Sequence, residues 1–364
     1  MNIPCLDLKQ QQQLVKAEIF ELFSQVYDDC AFSGGKYVEK FENEFSTFCN
    51  SQYGLGLSNG TVALHLAMLA YNIGEGDEVI IPANTFIATA WGPSHAGATP
   101  VFVDCDPNTW ELDVTQIEKA ITPRTKAIIG VHLYGQPFDV DAVKAICDKH
   151  NLVLIEDAAQ AQGSLYKGKK CGSLAELATF SFYPGKNLGA CGEAGGITTN
   201  DKAVLEKLQS LRNHGMTVRY YHDVVGYNYR MGGLEAVSLS VKLGKLDSWN
   251  ARRRSIAKRY FSEVKNDKIK FQTQPEWAES NFHLFVITTE NRDGLIEYLK
   301  GHGIHAALHY PVPCHLQKAY SHLGYKVGDF PNSEYLASHC LSLPMFAELK
   351  DVEVDYVIEK LNQY

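Results

Sequence analysis

One lysine, Lys186, stands just beyond an apolar run and among glycines in the stretch ATFSFYPGKNLGACGEAGG, Ala178 to Gly196. A lysine sheltered from water has a lowered pKa, and its neutral amine can condense with an aldehyde. Three further stretches carry complementary chemistry. In GLSNGTVALHLA, the run Ser58, Asn59, Gly60, Thr61 lies where a strand-like segment turns into a helix. Free N–H groups at a helix N-terminus attract phosphate; Gly60 lets backbone come close and Thr61 adds a hydroxyl. In LVLIEDAAQAQGS, Asp157 ends an apolar strand, where a carboxylate needs a cation or a strong donor. In PANTFIATAWGPSH, Phe86 follows a strand that ends at Pro82, and its ring can stack on a flat ligand.

Each signal has a plainer reading by itself. Ser, Asn and Thr cap helices everywhere, an aspartate pairs with an arginine or caps a helix, most phenylalanines are core, and most lysines are solvated. Together they specify one ligand: a phosphate cradle (Ser58 to Thr61, with Ser181), a stacking ring (Phe86), a carboxylate for a pyridine nitrogen (Asp157) and an amine for an aldehyde (Lys186). Pyridoxal 5'-phosphate offers these four handles.

The elements that must position these residues are legible between Ser58 and Gly196. Helical stretches alternate there with short apolar runs: DEVIIP, TPVFVD, KAIIGVHLY, LVLIED and ATFSFY. That pattern predicts a largely parallel sheet covered on both faces, with ligands at the carboxyl ends of its strands. After about Lys245 an amphipathic helix is predicted over Asp247 to Val264, followed by a strand in NFHLFVIT and helices in RDGLIEYLKGHG and VEVDYVIEKLNQY. The expected organisation is an N-terminal segment and large cofactor-binding domain over 1–245, and a small C-terminal α/β domain over 246–364.

Composition narrows the function classes. The chain has 364 residues, a formal net charge of -8, and no basic surplus to bind nucleic acid. The triple Arg252, Arg253, Arg254 reads as the solvated face of a helix. No run approaches the roughly 18 apolar residues of a membrane span, and the start lacks a signal-peptide profile, so a cytoplasmic location is expected. Nine cysteines without a C-x-x-C pair favour reduced thiols. A metal site in HAALHYPVPCH (His305, His309, Cys314, His315) is the rival enzyme reading. Its two prolines break the helix that the His spacing needs, so no metal is expected.

The sequence resembles the DegT/DnrJ/StrS group of sugar aminotransferases almost end to end. The likeness is carried by SGGKYVEKFENEF, LSNGTVALHLAM, GDEVIIPANTFIATA, VHLYGQP, IEDAAQAQGS, FSFYPGKNLGACGEAGG, LRNHG, VGYNYRMGGLEAVSLSVKL and HYPVPCHLQKAY. The resemblance implies the aspartate aminotransferase-like (type I) fold: a large domain with a mostly parallel mixed sheet and a smaller C-terminal α/β domain. It implies Lys186 as the cofactor-linked lysine, Asp157 as partner of the pyridine nitrogen and Gln160 near the phenolic oxygen. Gly60, Thr61 and Ser181 would bind phosphate, and Phe86 would cover the ring. Asn228, in GYNYR, would reach the phosphate of a neighbouring subunit, which implies a homodimer with shared active sites. Tyr183, Arg230, Tyr310 and His315 are candidates for the nucleotide-sugar side. The implied reaction moves an amino group from L-glutamate to a nucleotide-linked keto-sugar, with the cofactor passing through its pyridoxamine 5'-phosphate form. It belongs to amino-sugar biosynthesis such as that of lipopolysaccharide or O-antigen. SFYPGKNLGA and TFIAT resemble members that aminate a 3-keto-6-deoxyhexose on dTDP. GYNYRM is common among enzymes for 4-keto sugars on dTDP, UDP or GDP, the alternative. A regulatory protein that only binds cofactor or sugar is the non-enzymatic alternative.

Overall fold

The computed structural model describes residues 1–364. Its main sheet has seven strands: β1 (Tyr53–Leu57), β2 (Glu78–Pro82), β3 (Thr99–Val103), β4 (Thr125–Val131), β5 (Val153–Asp157), β6 (Leu177–Ser181) and β7 (Gly195–Thr199). They lie in the order β1-β7-β6-β5-β4-β2-β3. Only β7 runs against the rest, pairing antiparallel with both β1 and β6. The sheet is therefore mixed and mostly parallel. Its central strands are buried on both faces, which is why they read as continuous apolar runs rather than alternating ones.

Helices cover both faces. Among them are α1 (Lys9–Asp28), α2 (Lys36–Cys49), α3 (Gly60–Ala70), α4 (Ala88–His95) and α5 (Val140–His150). Helix α3 is apolar almost all round because it is enclosed: Leu64, Leu66, Ala67 and Met68 are buried in the largest core, against α4, β6 and β7. Asn59 caps it, accepting from the Val62 N–H at 3.0 Å.

The long helix predicted from Asp247 begins fourteen residues earlier, as α6 (Gly233–Glu263). Its first half has no clean amphipathic stripe because it is packed on several sides. Ala236, Leu239 and Leu246 lie in one core, Val241 and Trp249 in another, and α1 and α2 lean on it. Past it, β8 (Lys270–Phe271), β9 (Phe285–Thr288) and β10 (Cys340–Leu343) form a second, antiparallel sheet covered by α7 (Arg292–Gly301) and α8 (Asp351–Gln363). NFHLFVIT thus contributes only four residues to a strand. The N-terminus joins this second unit, for Ile3 bridges to Ile304 and is fully buried with Ile256, Tyr260 and Phe285. We propose that the division near residue 245 falls inside α6, which runs unbroken from one core into the other.

Candidate active site

Sheet register assembles the site. Leu57, Gly195 and Ser181 lie in one row across β1, β7 and β6, and Val131, Asp157 and Thr179 lie in the row behind. The turn after β1 therefore delivers the N-terminus of α3 beside Ser181, at the edge where β5 ends in Asp157. The fit is close: a Cβ on Gly60 would sit 2.7 Å from the Ser181 Cβ, and one on Gly195 would sit 2.3 Å from the Asn59 backbone. Only glycine allows this approach. The first N–H groups of α3, on Gly60 and Thr61, have no carbonyl partner within the helix and carry its positive dipole end. With the half-buried Ser181 hydroxyl they form an anion cradle.

Asp157 is 5 % exposed. Its Oδ2 accepts from the Thr89 hydroxyl at 2.7 Å and its Oδ1 from the Ala159 N–H at 3.2 Å. Burial raises its pKa, while these two donors and the charge of Lys186 oppose the rise. Such a carboxylate has an unmet demand for a cation. Thr89 is itself oriented by Thr85, 2.8 Å away. Lys186 follows β6 in a turn closed by its own N–H to the Tyr183 carbonyl at 2.8 Å. Desolvation pulls its pKa down to about 8, against the pull of Asp157 in the other direction. Near neutral pH about a tenth of the amine is therefore free, far more than for a solvated lysine.

Phe86 stands at the mouth, 48 % exposed, with its ring 5.3 Å from that of Tyr310. Gln160 is a clamp: its carbonyl accepts from the Tyr134 N–H and its amide donates to the Tyr310 hydroxyl at 3.0 Å. Thus Lys186, Asp157, Gln160, Ser181, Gly60, Thr61, Phe86 and Tyr310 gather at one edge of the sheet. Tyr183 is 54 % exposed just before Lys186. The donor set fits pyridoxal 5'-phosphate: a glycine-lined anion cradle, a buried carboxylate lacking a cation and a poorly basic amine face one region.

Other candidates stand elsewhere. Asn228 is exposed on a segment that pairs with Asn213. Arg230 donates to Asn213 Oδ1 at 2.7 Å and lines a separate cavity of about 960 Å³ with Ser33, Gly34, Arg212 and Arg219. His315 is sealed in the loop core, 3.1 Å from Glu334 and packed on Phe330. The suspected HAALHYPVPCH cluster disperses to four partners: His305 to Asn2, His309 to Ser342, Cys314 to the Thr85 carbonyl and His315 to Glu334. A different buried trio, His132, Glu156 and Cys171, does lie together. Its carboxylate already accepts N–H groups from Gly172, Leu174 and Ala175 besides facing His132, and burial drives the Cys171 thiol well up. It braces the strand that carries Asp157.

The aminotransferase family model DegT/DnrJ/EryC1/StrS matches residues 13–362. The chain belongs to that family. Among its relatives, the pleiotropic regulatory protein of Geobacillus stearothermophilus is 45% identical, with 100% of this chain and 99% of that protein covered. The dTDP-3-amino-3,6-dideoxy-alpha-D-galactopyranose transaminase of Aneurinibacillus thermoaerophilus is 44% identical, again over 100% and 99%. Among solved structures, S. venezuelae DesV in complex with a ketimine intermediate superposes with a TM-score of 0.98 at 40% identity, covering 100% of this chain and 98% of that one. The PLP-form of the putative sugar aminotransferase Spr1654 from Streptococcus pneumoniae gives 0.90 at 30% identity, over 100% and 97%.

Sequence reasoning missed several residues of this aminotransferase's site. Thr89 lay three residues beyond Phe86, at helical spacing, and that periodicity was the available signal. Asn187 and His283 had none: they meet only when the second sheet closes on the first.

Proposed function

We propose that the chain moves an amino group from L-glutamate to a nucleotide-linked keto-sugar, a dTDP-3-keto-6-deoxyhexose, yielding a dTDP-3-amino sugar. The observation that carries this reading is the pairing of a poorly basic lysine with a buried, cation-seeking carboxylate at the ends of adjacent strands β5 and β6. Pyridoxal 5'-phosphate supplies, when bound, a carbonyl that accepts the donor's nitrogen and a ring that takes up the electron pair of a departing α-proton.

The chain's residues divide the remaining work. Gly60, Thr61 and Ser181 bind the phosphate. Asp157 keeps a proton on the pyridine nitrogen, and Thr89 with Ala159 keeps that carboxylate ionised by donating to it. Phe86 and Tyr310 cover the ring and exclude water, and Gln160 holds Tyr310. Lys186, its amine free, would take the proton from the donor carbon and deliver it to the former carbonyl carbon of the cofactor. Asn228 serves the phosphate of a neighbouring subunit, so two chains complete two sites. Tyr183, Arg230 and His315 belong to the nucleotide-sugar side, His315 through the loop it braces.

The 3-keto, dTDP assignment draws on the Aneurinibacillus transaminase and on the SFYPGKNLGA and TFIAT segments. The GYNYRM segment favours a 4-keto sugar as the second reading. The test is direct. Purified protein with added cofactor should be yellow and should bleach with glutamate. Mass spectrometry of products from 3-keto and 4-keto sugars on dTDP, UDP and GDP then names the substrate. A protein that stays colourless with added cofactor would sink the proposal.

A further inference from the structure

We propose that His283 is a hydrogen-bond acceptor of fixed tautomer that reads a hydroxyl of the sugar substrate; the proposal rests on the aminotransferase reading above. Its argument begins at Asn187, the residue after Lys186. The Asn187 amide nitrogen donates to Asn250 Oδ1 at 2.9 Å and to the Asn281 carbonyl at 3.2 Å. Asn250 is oriented in turn by donating to the Gln162 carbonyl at 2.9 Å. Carbonyl oxygens at both ends of this chain cannot donate, so neither amide can flip. Asn187 Oδ1 must therefore face the His283 ring, and it lies 3.1 Å from Nδ1. An amide oxygen only accepts, so Nδ1 carries the hydrogen and Nε2 of the neutral ring is a bare lone pair.

The ring is also held neutral and in place. Burial, together with the charges of Lys186 and Arg253 and with His309, keeps its pKa well below the ordinary range. The His283 N–H donates to Asn281 Oδ1 at 2.9 Å, and its carbonyl accepts from the Arg253 guanidinium at 3.3 Å. Nε2 has no partner within the chain. Sealed, partnerless ring nitrogens occur at His65, His132 and His315, but His283 Nε2 is not among them: solvent reaches it. An accessible lone pair suits a neutral O–H donor and has no hydrogen to offer a carboxylate. A sugar ring offers hydroxyls beside its ketone. Glutamate offers two carboxylates, and its one nitrogen is committed to the cofactor.

The two half-reactions separate the possibilities. In His283→Phe, bleaching by glutamate should proceed as in the unsubstituted protein. The KM for the keto-sugar should rise by about 10- to 100-fold, the usual scale for losing a specific hydrogen bond to substrate. His283→Gln, which restores an acceptor, should recover part of that loss. A sugar lacking the hydroxyl should show no difference between His283→Phe and the unsubstituted protein. Independently of turnover, long-range proton–nitrogen spectra of cofactor-free, histidine-labelled protein should show a protonated Nδ1 and a bare Nε2 near neutral pH. The His283 signal is identified by its absence in His283→Gln. The opposite tautomer, an imidazolium, equal losses in both half-reactions, or a loss confined to glutamate would overturn the proposal. Absence of bleaching in the unsubstituted protein would remove the aminotransferase reading, and this proposal with it.

Discussion

Lys186 loses its proton near pH 8 because the cost of burying an ammonium exceeds what Asp157 returns. The sign follows: below that pH the amine is mostly charged and inert, and above it the amine is free. In cofactor-free protein, the rate of condensation of Lys186 with an added aldehyde should climb about tenfold per pH unit below 8 and level off above it. A profile that kept rising toward the pKa of an ordinary lysine would show that the amine is solvated. Lys186→Ala should cut turnover at least about 100- to 10,000-fold, the usual worth of a positioned base, measured as product formed per active chain. The setting of Lys186, an apolar strand and glycines, and that of Asp157, a strand end, each raised a question in the sequence, but only their combination with Gly60, Thr61, Phe86 and Ser181 pointed to one ligand. Thr89 was not singled out: a threonine in a helix pattern is unremarkable until a carboxylate is found 2.7 Å away.

Helix α3 and strands β6 and β7 act as one device, because the phosphate cradle exists only while their ends stay in contact. Gly195→Ala would drive a methyl against the Asn59 backbone, 2.3 Å from its carbonyl carbon, where no flexible side chain can yield. The helix start must then move away from Ser181. Cofactor affinity should fall about tenfold or more, and stability by about 1–3 kcal/mol, as for other overpacked sites. A fluorescence titration with pyridoxal 5'-phosphate and thermal unfolding measure the two effects separately. Helix α6 is the second such device. Its Arg253, expected from the sequence on a solvated face, is instead buried to 3 % exposure and donates to the carbonyls of Phe282, His283 and Met345. Arg253→Met keeps the volume but strands three carbonyls, and it should cost about 2–4 kcal/mol by denaturant unfolding. The start of α6 was misplaced by fourteen residues because a helix packed on several sides has no polar stripe to mark its face.

For the molecule as a whole, the surface beside Asn228 bears on the proposed sharing of sites. Val218, Tyr220, Tyr221, Val224 and Val225 are all exposed on the hairpin segment just before Asn228, an apolar patch of the kind that marks contact surfaces. If Asn228 serves a neighbouring site, Lys186→Ala and Asn228→Ala chains should each be weak alone. Mixed and reassembled, they should regain activity, because one site per hybrid dimer then holds both native residues. No recovery on mixing would place Asn228 in its own chain's site. No helix is long and apolar enough to cross a membrane. The order of elements, the mostly parallel sheet and the residues at its strand ends were all readable from the chain. Each depends on local periodicity or on a residue sitting where a strand stops. The motif resemblance reached further, to the family and its cofactor. The tertiary structure alone decided the register that sets Gly60 against Ser181, the closure that brings His283 and Asn187 together, and the sealing of His315 behind Glu334. Those contacts join residues far apart in sequence, and no local pattern encodes which distant side chain will supply the missing hydrogen-bond partner.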